Sequence, residues 1–349
     1  MRIKNHLKQM IIRVEASAAV GWGHLMRCRA LAEASRKSGV EVTFILTPSK
    51  RAGVGILQAA GFHVLPWEVR LGEDLKQLSR LLSTREADVL VVDSYSATSN
   101  YLAALRPQVG LLVSIDDLAE MCFPSHVVIN QNIYAENLKY SCTPDTHLLL
   151  GTQYALLREQ FEAWRSWTRT IPAEGRRLLI MLGGVDPENQ TGRVIEIIQR
   201  CAVPGLEVVA VVGGDSSHLL AIQAASIKSR MPIRVVHAPS HVSDLMAWAD
   251  VAVSGAGSTC WELAFMGLPA LTLVLSQNQQ KVAEGLAAAG ASCNLGWYRD
   301  IADEEIQNAL SALLGDRAKR AEMSECGRHL VDGRGSERVA EMLAAGVFV

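Results

Sequence analysis

The sequence predicts an α/β protein built from two doubly wound units. Three observations predict it. Short apolar runs recur along the chain and end in an acid, an asparagine or a glycine pair. Runs of that kind belong to strands buried on both faces of a parallel sheet. Helical stretches alternate with them, as in crossover units. The length, 349 residues, exceeds one ordinary core, so two domains are expected.

The first strand, Ile11 to Val14, runs into Ala16-Ser17-Ala18-Ala19-Val20-Gly21-Trp22-Gly23-His24. Gly21 and Gly23 let the backbone turn tightly and bring amides up to a ligand. The helix that follows carries Leu25, Cys28, Leu31 and Ala32 as its apolar stripe. Its start offers unpaired N–H groups and partial positive charge, which suits an anion. Gly39 closes this helix, and Val40 to Leu46 is the second strand. Ile56 to Ala60 is a helix ending at Gly61, and Phe62 to Leu65 the third strand. Leu71, Leu75, Leu78 and Leu82 share one face of a helix over 71–82. Val89 to Asp93, Gly110 to Asp117 and Val127 to Asn130 complete the first unit as buried strands. In such sheets functional groups gather beyond the carboxyl ends of the strands. Asp93, Asp116, Asp117, Asn130 and the loop at His24 all fall there.

The amphipathic stretch from Gly151 to Trp167 and the Pro172 segment up to Gly175 mark the linker. A second α/β pattern then begins. Leu178 to Leu182 leads into Gly183-Gly184, Val208 to Val212 into Gly213-Gly214, and Val251 to Val253 into Ser254-Gly255-Ala256-Gly257-Ser258-Thr259. Ile233 to His237 and Ala270 to Leu275 are further strands, with helices from Asn189, Val242, Cys260 and Gln279. The domains expected are 1–165, 176–335 and a C-terminal helix in 336–349 that packs back on the first.

Lys and Arg number 34 against 36 Asp and Glu, a balance that argues against nucleic acid as partner. Seven cysteines stand singly with no zinc spacing, which points to reduced thiols in the cytoplasm. The basic opening MRIKNHLKQM lacks an apolar signal core. Residues 1–9 read as an extension, with Met10 as an alternative start. No apolar stretch reaches the ~18–20 residues of a membrane span, and a soluble monomer is expected.

Three constellations carry chemistry. His24, where loop becomes helix, suits a general base kept neutral by the helix dipole, or else a capping group. Gly255-Ala256-Gly257-Ser258-Thr259 opens a helix behind a buried strand, suiting a diphosphate, with Glu262 one turn on for ribose hydroxyls. A tight turn with an ordinary cap is the other reading. Gly183-Gly184 offers a second such loop. Asp93, Asp116 and Asp117 orient sugar groups, assist the base, or cap loops. There is no Asp-x-Asp, no G-x-x-x-x-G-K-[ST], no G-x-S-x-G and no third glycine of a dinucleotide fingerprint. No metal and no cofactor are therefore expected.

Several strings then occur together in order: Arg13-Val14-Glu15, Gly21-Trp22-Gly23-His24-Leu25-Met26-Arg27-Cys28, Asp93-Ser94-Tyr95, Ile115-Asp116-Asp117, Asn130-Gln131-Asn132, Tyr154 to Arg158, Leu182-Gly183-Gly184-Val185-Asp186, Gly255 to Glu262 and Gln277-Asn278-Gln279. Over about residues 10–340 the chain resembles the GT-B-like UDP-sugar hydrolases of pseudaminic acid biosynthesis. The resemblance implies two Rossmann-like domains facing each other across a cleft. It implies His24 as the base that activates water against a UDP-linked diacetamido-trideoxy sugar, with inversion and without metal. It also implies substrate contacts at Gly21, Gly23, Arg27, Arg13, Asp93, Tyr95, Asp117 and Asn130. Gly183, Gly184, Gly255, Gly257, Ser258, Thr259, Glu262 and Asn278 would hold the nucleotide side. Two departures stand out: Glu15 where the family usually has Asp, and Ser94 where it usually has His. A GT-B transferase passing the sugar to another acceptor, or a nucleotide-sugar-binding protein without turnover, are the alternatives.

Overall fold

The computed structural model describes residues 7–15, 22–46, 51–70, 73–201 and 203–346, with side chains undescribed at 51, 52 and 66. The chain divides into two compact units: Met1–Glu159 with Gly333–Val349, and Gln160–Asp332.

In the first unit the elements run β1 (Gln9–Val14), α1 (Gly23–Lys37), β2 (Glu41–Leu46), α2 (Arg51–Ala59), β3 (His63–Pro66), α3 (Leu75–Thr84) and β4 (Val89–Asp93). Then follow α4 (Ser99–Leu105), β5 (Leu111–Ile115), β6 (Cys122–Phe123), β7 (Val127–Asn130), β8 (Ser141–Cys142) and β9 (His147–Leu150). Seven strands form one sheet in the order β3-β2-β1-β4-β5-β7-β9, and β6 pairs β8 apart from it. Every pairing in that sheet is parallel.

Parallel strands covered on both faces have two cores. Ile12, Val14, Val89 and Val91 face α1, whose Leu25, Cys28 and Leu31 are fully buried against them. Ile11, Leu90 and Val92 face the other way, onto Leu78, Leu82 and Leu102. Asp93 continues the alternation of Val89 and Val91, which brings its side chain to the α1 face.

The second unit contains β10 (Arg177–Met181), α5 (Gln190–Ile198), β11 (Glu207–Val212), α6 (Leu219–Lys228), β12 (Ile233–His237), α7 (Val242–Trp248) and β13 (Val251–Gly255). It continues through α8 (Thr259–Phe265), β14 (Ala270–Val274), α9 (Gln280–Ala288), β15 (Cys293–Trp297), α10 (Asp303–Gly315) and α11 (Arg317–Leu330). Its six strands lie in the order β12-β11-β10-β13-β14-β15, again all parallel. The last helix, α12 (Gly335–Ala345), returns to the first unit, where Val339, Ala340 and Leu343 join the α1 core. It docks closely because Gly335 has no side chain: a Cβ there would lie 2.3 Å from the carbonyl oxygen of Ala155.

Several expectations are corrected. Residues 7–9 are part of the fold, not an extension. Leu7 is buried, and the amides of Lys8 and Gln9 donate to Asp88 at 2.8 and 2.9 Å. The third helix starts at Leu75; Leu71 lies outside the described residues. Strands β9 and β15 were not expected; β15 carries Asn294 and Gly296 inside it, and β9 is a four-residue edge strand. All seven cysteines are free, and no helix among the described residues is long and apolar enough to cross a membrane.

Candidate active site

The carboxyl ends of β4, β5 and β7 and the first turn of α1 meet in one buried polar cluster. His24 is the second residue of α1 and only 4% exposed. Its Nδ1 lies 2.5 Å from Asp93 Oδ1. One turn on, Arg27 closes on the same carboxylate through Nε at 2.8 Å and NH2 at 2.7 Å, and reaches Asp117 Oδ1 with NH1 at 2.7 Å. The Cys28 thiol donates to Asp93 Oδ2 at 3.3 Å. Asp117 also takes the Tyr95 hydroxyl at 2.7 Å and the Asn132 amide at 2.7 Å. The Tyr95 ring stands edge-on to the His24 ring, 4.7 Å between centroids.

The electrostatics follow from burial set against these partners. Burial pushes the Asp93 carboxyl up, but Arg27 and His24 outweigh it and hold the group well below the usual carboxylate range. Asp117 is lowered in the same way, burial being overcome by Arg27. Arg27, fully buried between two carboxylates, is raised well above its ordinary value despite desolvation. Burial and Asp93 push the Cys28 thiol up, so it remains a donor and not a thiolate. Nδ1 lies 2.5 Å from Asp93 Oδ1 and 3.2 Å from Arg27 NH2; with Asp93 ionised, the shorter contact places the proton of a neutral His24 on Nδ1. Nε2 is then the ring's acceptor, with no partner among the described residues.

His24 stands in the first turn of α1, as expected, and Asp93 at the end of β4 orients its ring, the logic of a catalytic His–Asp pair. Three residues expected at a substrate have protein partners in the structure. Arg27 gives its guanidinium to Asp93 and Asp117. Asn130 is fully buried; its Oδ1 accepts the amide N–H and Nδ2 of Asn132 at 3.0 and 2.9 Å, and its Nδ2 donates to the Tyr140 hydroxyl at 2.9 Å. Arg13 points to the opposite sheet face, fully buried, with Nε on Asp74 Oδ2 at 2.8 Å and other donors on the carbonyls of Ile45 and Val69. Gly23 opens α1, while Gly21 lies outside the described residues. Asn132, Cys28 and Tyr140 were not singled out individually. Tyr140 donates to Asp116 Oδ2 at 2.8 Å, an interaction over 24 residues that no local pattern announces.

In the second unit the two glycine loops differ. At Gly183-Gly184 the chain answers its own helix. Asp186, with a left-handed φ of 43°, accepts the amides of Gln190 and Thr191 at 2.8 Å each, so the first N–H groups of α5 already have a carboxylate. At Gly255-Ala256-Gly257-Ser258-Thr259 the amides of Gly257, Ser258 and Thr259 meet no acceptor among the described residues. Ser258 caps by backbone position alone, and Glu262 is buried in the first turn of α8. Asn278 is exposed and accepts from Ser276 Oγ at 2.6 Å. Among the described residues no group of three His, Cys, Asp or Glu could hold a metal ion.

Comparisons with known proteins agree with this architecture. The glycosyltransferase family 28 C-terminal domain model matches residues 181–338. Spore coat polysaccharide biosynthesis protein SpsG of Bacillus subtilis is 25% identical over 332 residues, 93% of this chain and 94% of that protein. A UDP-N-acetylglucosamine–N-acetylmuramyl-(pentapeptide) pyrophosphoryl-undecaprenol N-acetylglucosamine transferase of Salinibacter ruber is 26% identical, covering 87% of this chain and 84% of its own length. The Helicobacter pylori pseudaminic acid cytidylyltransferase and UDP-2,4-diacetamido-2,4,6-trideoxy-β-L-altropyranose hydrolase is 24% identical over 74% of this chain and 43% of that protein. Among solved structures, Acinetobacter baumannii MurG superposes with a TM-score of 0.68 at 17% identity, covering 96% of this chain and 99% of MurG. The Staphylococcus aureus MnaA–UDP co-structure gives 0.63 at 13%, covering 97% and 96%. The protein has the GT-B fold of the glycosyltransferase structures it matches.

Proposed function

We propose that the protein is an enzyme of the GT-B glycosyltransferase type that takes a UDP-linked sugar and passes it to a hydroxyl activated by His24. One observation carries the reading: Asp93 holds Nδ1 of His24 and leaves Nε2 to accept a proton. Asp93 and Asp117 are committed to His24, Arg27, Cys28, Asn132 and Tyr95. Neither is poised as a nucleophile, so one displacement with inversion is the chemistry, not a covalent glycosyl intermediate.

UDP is a good leaving group. What it asks for is donors where pyrophosphate charge grows, and the uncommitted amides of Gly257, Ser258 and Thr259 supply them. The Gly183-Gly184 loop supports the nucleotide less directly, because Asp186 fills the anion position at α5.

The acceptor separates two readings. A carbohydrate acceptor stands first: the family 28 match, the full-length likeness to SpsG and the N-acetylglucosamine transferase relatives favour it. Water stands second, favoured by the Gly21 to Cys28 motif and the partial match to the Helicobacter protein. The test is proton NMR of UDP-N-acetylglucosamine and a UDP-diacetamido-trideoxy sugar, each with enzyme and no acceptor. Free reducing sugar establishes hydrolysis. UDP release only when a sugar acceptor is added establishes transfer. UDP bound without turnover leaves a binding protein, and no UDP binding at all overturns the proposal.

A further inference from the structure

A cavity of about 440 Å³ opens beside the His24 cluster, at the carboxyl ends of β4 and β5. Its walls are the segment after β4 and the segment after β5, and Tyr95 belongs both to the first wall and to the His24 cluster. One aspect of that ring packs edge-on against His24, and its hydroxyl holds Asp117. A group seated in the cavity therefore lies against the same tyrosine as the base.

The lining says what that group is. Ala97, Ile115, Leu118 and Met121 supply apolar surface; Ser94, Thr98, Ser99 and Asn100 supply neutral polar groups; Asp116 and Glu120 supply carboxyls, and among the described residues no Lys, Arg or His lines it. An anionic group there faces two acids with no cation to offset them, so an uncharged group suits it better than the diphosphate or a carboxylated sugar. The volume falls within the ~300–1,000 Å³ of small-molecule sites and far exceeds the ~30 Å³ of one water. Asp116 is fixed for recognition. Its Oδ2 takes the amides of Leu118 and Ala119 and the Tyr140 hydroxyl, at 2.9, 2.8 and 2.8 Å. Oδ1 takes none of these bonds and can accept an N–H or O–H. Ala119 closes the turn with a left-handed φ of 57°, uncommon for a residue with a Cβ; the wall is built in one conformation.

We infer that this cavity is a subsite for an uncharged sugar unit bearing an apolar substituent, an N-acyl or a deoxy methyl, with Asp116 Oδ1 accepting from its N–H or O–H. The inference rests on the glycosyl-transfer reading and deepens it. Two sources supply that chemistry: the donor's own sugar, or the sugar that accepts it.

The experiment has a binding arm and a kinetic arm. Saturation-transfer NMR on the wild-type protein uses free N-acetyl-D-glucosamine and D-glucuronate as probes. The acetyl methyl is expected to take up saturation and glucuronate not to; equal signals, or none from either, overturn the inference whether or not UDP turns over. Leu118→Trp fills the half-buried wall, and its signal from the acetyl methyl is expected to vanish. Glu120→Lys, at an exposed position, reverses a rim charge and is expected to admit glucuronate; this variant decides the matter if Leu118→Trp fails to fold. In kinetics, Leu118→Trp is expected to raise KM about tenfold or more with UDP affinity unchanged by calorimetry. A rise seen in acceptor-free turnover of the donor assigns the cavity to the donor sugar. A rise seen only for an added acceptor assigns it to the acceptor. Unchanged kinetics in both overturns the subsite, while loss of UDP binding in the wild type overturns the underlying reading instead.

Discussion

The carboxylate of Asp93 meets Nδ1 of His24 at 2.5 Å across 69 residues of sequence. Strand alternation sends Asp93 to the α1 face, and the first turn of α1 delivers His24 to it. The pair makes two substitutions informative. His24→Asn is expected to lower UDP release by about 10²–10⁴-fold with UDP affinity unchanged. Asp93→Asn keeps the shape but removes the ionic partner, and lowers turnover comparably. It also leaves Arg27 with Asp117 as its one carboxylate partner, at a cost of about 1–3 kcal/mol in stability. Calorimetric UDP titration, turnover and urea unfolding separate the two effects.

Acid should loosen the first unit in a defined window. Asp93 and Asp117 have folded-state values below the ~3.9 of an unfolded Asp. Groups depressed in the fold contribute stability in full above about pH 4 and lose it as pH falls through their folded values. Asp116 runs the other way: burial raises it, so its protonation favours the fold. Stability from urea midpoints is expected to hold from pH 7 to about 5 and to fall below about 4. Asp117→Asn is expected to start lower at pH 7 and to show a shallower acid slope; an unchanged slope would mean the cluster does not govern the acid limb.

Glu15 and Ser94, the two departures from the family pattern, are partners of each other. Ser94 Oγ donates to Glu15 Oε2, and Ser96 Oγ donates to the same oxygen at 3.1 Å. In this chain the longer acid reaches the shorter hydroxyl. A double-mutant cycle with Glu15→Asp and Ser94→Ala is expected to show coupling of about 0.5–1.5 kcal/mol, with KM affected more than kcat because Ser94 also lines the cavity beside Tyr95. Additive effects would mean the contact carries no energy.

The leaving-group charge falls to backbone amides in this scheme. Turnover with 5-fold excess EDTA over any adventitious metal, roughly a saturating chelator condition, is expected to match turnover without it. Loss of rate restored by Mg²⁺ would assign the pyrophosphate to a cation.

Much of this was legible in the sequence, and the boundary has a physical cause. Apolar runs announced the central strands because both faces of a parallel strand are covered; β15 stayed hidden because Asn294 and Gly296 interrupt it, and β9 because it is a four-residue edge strand. The Gly21 to Cys28 motif marked α1 and the importance of His24. The resemblance put Arg13 at the substrate; in the structure it lies on the face of β1 turned from His24, and its partner there, Asp74, lies 61 residues away, beyond any local pattern. Periodicity assigns faces, but pairings such as Arg27 with Asp117, or Asn130 with Tyr140, are made by topology.

The two glycine loops of the second unit give the sharpest contrast for nucleotide binding. Asp186 already answers the amides of Gln190 and Thr191, in the manner of an N-cap. Asp186→Ala is therefore expected to cost about 0.5–2 kcal/mol of stability and leave UDP affinity within about twofold. Gly257 behaves differently. A Cβ there meets nothing closer than Gln279 Nε2, at 3.6 Å, so an alanine fits the fold. Gly257→Ala crowds the neighbouring amides and is expected to weaken UDP binding about tenfold or more, with the melting temperature unchanged. If Asp186→Ala tightens UDP instead, the freed amides of α5 are the phosphate site, and the roles of the two loops exchange.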